Sequence, residues 1–240
     1  MRYLIISDIH GNLEALQSVI ASARRQKFDR ILCLGDTVGF GPNPNECLQL
    51  LKAQRHSIVL MGNWEATLAG LIGKEWIQKE SVQKCMDWLE KEITEENLDY
   101  IKEMSKFFSV NFLLGVHASP FDPVLQKMDA EIAQKTLDSV AEQVTVTGHI
   151  HQPFYYTKKD GWKKIEGDKT IQLIPEKIVI TLPSVGKPKD LDKRAGYGIL
   201  DFQRKEFYVR RLNYDYETTQ KKMRELKLPE EEIQGLATGE

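Results

Sequence analysis

The stretch Tyr3-Leu4-Ile5-Ile6-Ser7-Asp8-Ile9-His10-Gly11-Asn12 decides how the rest of the chain is read. Four consecutive apolar residues, Tyr3 to Ile6, describe a strand buried on both faces, as in a parallel sheet covered by helices. Asp8 and His10, two side chains able to ligate a metal, follow at once. Asn12 can then cap a helix whose apolar residues Leu13, Leu16, Val19, Ile20 and Ala23 repeat with a 3.6-residue period. Strand, polar turn and helix make half of a βαβ unit.

The same grammar continues outward. Residues 31–34 read as the next strand, a Gly- and Pro-rich loop covers 39–44, a helix runs from 46 to about 53, and residues 58–61 form a third strand. Residues 66–104 are expected to be helical throughout, an insertion lying over one edge of the sheet. Residues 112–116 and 144–147 are two more buried strands, around a helix at 129–142 with Ile132, Leu137, Val140 and Ala141 inward. From residue 154 to 212 the pattern changes to short strands at 154–157, 170–173, 177–182, 197–202 and 207–212, which predicts a second, more antiparallel sheet packed on the first. A last helix starts near Tyr216 and ends before Pro229, with a loose polar tail after it. The fold class is α/β, and residues 1–240 are expected to form one domain with its helical insertion near 66–104 and its C-terminal helix near 216–228.

Composition narrows the function. With 41% hydrophobic and 28% charged residues, 240 residues suffice for one sizeable core. A net charge of −2 provides no global positive field for nucleic acid or an anionic membrane, so phosphate recognition has to be local. Cys33, Cys47 and Cys85 are odd in number and lack metal-ligand spacing, which predicts reduced thiols in a cytoplasmic protein. The short apolar run at the amino terminus predicts neither a signal peptide nor a membrane span.

Each buried strand is followed by a metal-capable group: Asp8 and His10 after the first, Asp36 after the second, Asn63 after the third, His117 after the fourth, and His149 and His151 after the fifth. Ligands of open α/β sheets bind outside the carboxyl ends of the strands, so parallel neighbours would bring these groups into one crevice. Of the five histidines only His56 falls outside this pattern, and it reads as a surface residue. Mixed nitrogen and oxygen donors suit Mn²⁺, Fe, Ni²⁺, Co²⁺ or Zn²⁺ better than Mg²⁺ or Ca²⁺, and Mn²⁺ is the expected ion.

The ordered blocks DIHGN, GDTVGFGP, GNWE, GVHASP and GHIH resemble those of the calcineurin-like metallophosphoesterase superfamily over nearly the whole chain, and PSVGKPKD at 183–190 with Tyr214-Asp215 resembles its small bacterial and archaeal phosphodiesterase branch. The resemblance implies two mixed sheets sandwiched between helices in four layers. It implies a first metal on Asp8, His10, Asp36 and His151 and a second on Asp36, Asn63, His117 and His149, with Asp36 bridging. Asp36, Asn63 and His149 are the residues on which catalysis should most depend. Two ions about 3.5–4 Å apart would lower the pKa of a bridging water and drive it in line onto a phosphate ester, so no serine or cysteine nucleophile is needed. Ser7, Ser119 and Ser184, beside the motifs, read as structural. The substrate would be a small phosphoester, with nucleotide-derived molecules among the candidates.

Two loops bear on substrate choice. The 39–44 segment either shapes the site or merely returns the chain, and Lys187, Lys189, Lys193 and Arg194 either meet a distal phosphate or form a solvated loop. One residue departs from the family pattern: Trp64 stands where a histidine usually contacts the phosphate. Indole is no general acid, and general-acid help is typically worth ~10²–10⁴-fold, so the resemblance implies a phosphodiesterase rather than an efficient monoesterase. Glu65 would then serve only the first turn of a helix. A competing reading makes the chain a catalytically weakened metal-binding scaffold for protein partners, with Trp64 as an exposed anchor.

Overall fold

The structure, a computed structural model, describes residues 1–173 and 175–240. In chain order its elements are β1 (Arg2–Ile6), α1 (Leu13–Gln26), β2 (Arg30–Cys33), α2 (Pro44–Lys52), β3 (Ser57–Val59), α3 (Asn63–Leu68), α4 (Glu80–Glu92) and α5 (Glu95–Lys102). There follow β4 (Phe107–Val110), β5 (Leu113–Val116), α6 (Ala130–Ser139), β6 (Val144–Thr147), β7 (Phe154–Thr157), β8 (Gly161–Lys164), β9 (Lys169–Gln172) and β10 (Ile178–Thr181). The chain closes with β11 (Ala195–Asp201), β12 (Glu206–Leu212), α7 (Tyr216–Glu225) and α8 (Glu230–Thr238).

Two six-stranded mixed sheets result, in the orders β3-β2-β1-β11-β12-β9 and β4-β5-β6-β10-β7-β8. The strands that carry the metal-capable groups pair in parallel, β1 with β2 and β2 with β3 in one sheet and β5 with β6 in the other, so within each sheet their carboxyl ends point the same way. Alternation along β1 explains the layers. Leu4 and Ile6 join α1 residues Leu16 and Val19 in one cluster, while Tyr3 and Ile5 meet Val146 and Ile180 of the other sheet. On the far side, Ala133 and Leu137 of α6 cover Val179 and Phe154. Helices, sheet, sheet and helix form the four-layer α/β/β/α sandwich. Each Leu or Ile buried this way is worth roughly 1.5–3 kcal/mol against exposure, which makes the strand ends a rigid platform.

Four expectations need correction. Residue 154 is not where a second sheet begins: β5 and β6 already belong to it, and β11 returns to pair antiparallel with β1. The segment 69–79 is not helical, and it lays the half-buried Trp76 and Ile77 against the core as loop. Ala141, expected inward, is exposed beyond the end of α6. The tail after Pro229 is not loose, because α8 buries Ile233 and Leu236 against Met223 and Leu228. Three glutamates in its first turn complement the helix dipole, so the acidic run that reads as a polar tail is a helix start. Among the described residues, no helix is long and apolar enough to cross a membrane.

Candidate metal centre

The β1–β2 pairing continues past both strands, with the Asp8, His10 and Gly11 amides donating to the carbonyls of Gly35, Asp36 and Thr37 at 3.1, 2.9 and 2.8 Å. The two loops therefore leave the sheet together. Asp8, His10, Asp36, His149 and His151 all sit at positive φ, between 50° and 67°. This is costly backbone for residues with a Cβ, of order ~1–3 kcal/mol each, and it turns all five side chains inward. The turn at 183–187 braces them: Val185 and Gly186 amides donate to the Ser7 and Asp8 carbonyls at 3.0 Å, and Ser184 Oγ donates to the Asp8 carbonyl at 2.7 Å. Asn12 caps α1 through the Ala15 amide and also donates to the Gly186 carbonyl at 2.9 Å.

The side chains gather in two sets that share one carboxylate. Asp8, His10, Asp36 and His151 form the first, and Asp36, His117 and His149 the second, the ligand atoms within each lying inside 4.8 Å of one another. Asp36 Oδ2 stands between them, 3.7 Å from His10 Nε2 and 3.3 Å from His117 Nε2. Its partner oxygen Oδ1 is fixed by the Trp64 amide at 3.1 Å. Asn63 Oδ1 joins the second set, 3.1 Å from His117 Nε2 and 3.0 Å from His149 Nδ1. In the first set His10 Nε2 and His151 Nε2 approach to 3.1 Å, and Asp8 Oδ1 lies 3.3 Å from His151 Nε2.

Electrostatics favour cation binding. Burial holds His10 well below its usual value, aided by His151, and holds His151 down with help from Lys189. Burial and His117 together push His149 down to about 3. These imidazoles are neutral and offer lone pairs. Burial opposes the charge on His117, but the Asp36 carboxylate beside it wins and raises it to about 9, so positive charge is favoured at this position. Asp8 is held below its usual value against its own burial by the positive charge that the histidines around it, His151 first, carry when protonated. His151 Nδ1 donates to the Lys187 carbonyl, which leaves Nε2 free to ligate a metal, and His10 Nδ1 and His117 Nδ1 are buried without a partner among the described residues. Two converging sets of imidazole, carboxylate and amide oxygen fit two divalent metal ions.

The structure gives Glu65 a larger part than the sequence suggests. Its fully buried carboxylate accepts the amides of Asp36 and Gly62 at 2.9 Å on one oxygen and those of Thr37 and Val38 at 2.7 and 3.2 Å on the other. It is the clasp of the Asp36 loop. Burial, with the Asp36 charge nearby, raises it to about 7. The GD and GN blocks meet so closely that a Cβ on Gly62 would lie 2.2 Å from Asp36 Oδ1. The 39–44 segment also belongs to the site. Gly39, at φ 149, leaves room for His10, whose Nδ1 a Cβ would approach to 2.3 Å, and Gly41 donates to the His10 carbonyl at 2.6 Å.

Trp64 is 1% exposed, so it is no surface anchor. Its ring meets His10, Phe40 and Trp76 edge-on at 5.8, 4.8 and 5.7 Å. It lines a crevice of about 340 Å³ over the candidate metal ligands, whose apolar wall includes Phe40, Trp76, Ile77 and Leu125. Of the four basic residues after the 183–186 turn, only Lys189 lines this crevice. Lys187 is buried in an ion pair with Glu232 at 3.2 Å, Arg194 pairs with Asp192 at 2.7 Å, and Lys193 reaches Tyr216. Lys189 is exposed, lies 5.5 Å from the centre of the Phe40 ring, and has no ion-pair partner among the described residues. Ser184 is structural, as is Ser119, which accepts the amides of Phe121 and Asp122 in a turn. Ser7 Oγ is buried and has no hydrogen-bond partner among the described residues, and His56 is exposed away from the site.

Comparison with known proteins agrees with this geometry. Residues 1–205 match the calcineurin-like phosphoesterase superfamily domain. An uncharacterised protein of Methanocaldococcus jannaschii is 29% identical over 234 residues, 94% of this chain and 93% of that protein. A metallophosphoesterase structure from Sphaerobacter thermophilus superposes with a TM-score of 0.89 at 29% identity, covering 100% of this chain and 99% of the other. A hypothetical protein from Pyrococcus horikoshii shares the fold with a TM-score of 0.82 at 16% identity, covering 100% and 98% of the two chains.

Proposed function

Because the chain belongs to the calcineurin-like phosphoesterase superfamily, whose domain spans residues 1–205, we propose that it is a metal-dependent hydrolase of phosphodiesters. The fold and the two adjacent ligand sets suit metal-dependent hydrolysis of phosphate esters in general. The choice of diesters rests on one observation, the buried Trp64 that walls the crevice beside Asn63.

In this reading Asp8, His10, Asp36 and His151 hold one divalent ion, Asp36, Asn63, His117 and His149 hold the other, and Mn²⁺ serves at both. When bound, such ions supply Lewis-acid polarisation of phosphoryl oxygens and a coordinated water of lowered pKa. The protein's own part is to hold the ligands neutral or anionic, to fix Asp36 through Glu65, and to position the ester against the apolar wall. Lys189, without an ion-pair partner among the described residues, meets substrate negative charge at the crevice. Trp64 presents indole where a proton donor would assist a basic leaving group, so the substrates served best are those whose leaving group needs little protonation.

The free, buried Cys33, Cys47 and Cys85 suit a reducing, cytoplasmic setting for this activity. The scaffold reading loses its motive once Trp64 is inside. The decisive assay compares kcat/KM for bis(p-nitrophenyl) phosphate and p-nitrophenyl phosphate with Mn²⁺ present. Preference for the diester is expected, and preference for the monoester overturns the diesterase reading.

A further inference from the structure

A second groove, of about 320 Å³, opens beside the metal-ligand crevice, and Lys189 lines both. One wall is built directly from the site: Gln152 and Pro153 follow His151 into β7, and the Gln152 side-chain amide donates to the Lys189 carbonyl at 3.1 Å. The other apolar surfaces are Trp162 on β8 and Leu191, which are 40% and 76% exposed. Leu191 also sits at φ 67, where a branched apolar residue is disfavoured. An exposed leucine held in such backbone, beside an exposed indole, is the kind of apolar surface that marks a binding site. Trp162 stacks on the buried Phe154 with the planes 26° apart, so the indole is backed and held while part of it stays open. The charge is suited to an anion. Asp190 is ion-paired with the buried Arg211, which leaves Lys189 and Lys164 as the uncommitted charges of the groove among the described residues.

We propose that this groove is a second substrate subsite, which takes a planar aromatic arm of nucleobase size from a phosphoester whose phosphate lies at the metal ligands, with Lys189 between the two. The proposal rests on the phosphoesterase reading. It also gives each arm of a diester its own apolar seat, one against Trp76 and Leu125 and the other against Trp162 and Leu191. Aromatic stacking on Trp162 would be tolerant of the ring's identity, since every base has a π-face.

The test is equilibrium binding to the Mn²⁺-loaded protein by titration calorimetry, with adenosine 5′-monophosphate and inorganic phosphate as probes. The mononucleotide should bind more tightly than phosphate. Trp162→Ala should weaken the mononucleotide about tenfold, the size expected for one base on one indole, and leave phosphate unchanged. Trp162→Phe should restore most of the loss, which separates stacking from damage to the β7–β8 hairpin. Equal affinity of the two probes, equal weakening of both by Trp162→Ala, or no effect on the mononucleotide overturns the subsite. Trp162-dependent mononucleotide binding by a protein that hydrolyses neither diester nor monoester would instead sink the hydrolase reading and leave the subsite standing.

Discussion

Glu65 holds Asp36 from behind: the carboxylate oxygen that accepts the Asp36 amide at 2.9 Å also accepts that of Gly62, so the second and third motifs are tied to one buried group. The candidate ligand Asp36 occupies left-handed backbone, and four amides pinned by Glu65 keep its loop there. Glu65→Gln removes one acceptor and turns an amide N–H toward backbone donors. Outer-shell losses of this kind typically cost roughly 10–100-fold in metal affinity or activity. We expect a loss of that size in Mn²⁺ affinity and in diesterase kcat/KM, together with a lower Tm. A variant with wild-type Mn²⁺ affinity would show that the Asp36 loop does not need the clasp.

A second prediction concerns Lys187, whose carbonyl accepts from His151 Nδ1 while its ammonium is buried against Glu232, itself bonded by Ser81 Oγ at 2.7 Å. Glu232→Ala leaves the buried Lys187 ammonium with backbone carbonyls, that of Glu240 at 2.8 Å, but without its carboxylate. Breaking one partner of such a pair typically costs about 3–5 kcal/mol, whereas replacing both by apolar groups is often neutral. Chemical denaturation should therefore show a large destabilisation in Glu232→Ala and its relief in Lys187→Met/Glu232→Leu. Equal stability of the single variant and wild type would mean that α8 is not anchored through this pair.

Much of this centre was legible beforehand for a physical reason. A metal ligand beyond a buried strand is a local signal, and parallel pairing carries Asp8, Asp36 and Asn63 to the same end of one sheet. What the sequence does not display depends on non-local contacts. That β11 returns to β1, at positions such as Leu4 opposite Ile199, cannot be read from short alternating runs. The part of Glu65 depends on four amides, three of them brought from a loop nearly thirty residues earlier. Edge strand β8 escaped because Trp162, Lys163 and Lys164 are all exposed and give no alternation. Of the basic cluster at 187–194, only tertiary pairing shows which charge is left uncommitted.

Trp64→His should restore a proton donor beside Asn63, and the monoesterase to diesterase ratio of kcat/KM should rise. The indole is packed against Phe40 and Trp76, so the smaller ring should also lower Tm. An unchanged ratio, with both activities reduced together, would make Trp64 a packing residue only.

The central claim is that one carboxylate, Asp36, joins two metal sites. Elemental analysis of the Mn²⁺-reconstituted protein tests it most directly, with Asp36→Asn and His149→Ala alongside. The account predicts two ions per wild-type chain, at most one firmly held ion in each variant, and no hydrolysis by either. A wild-type ratio well below one, or two tightly held ions in Asp36→Asn, would contradict it.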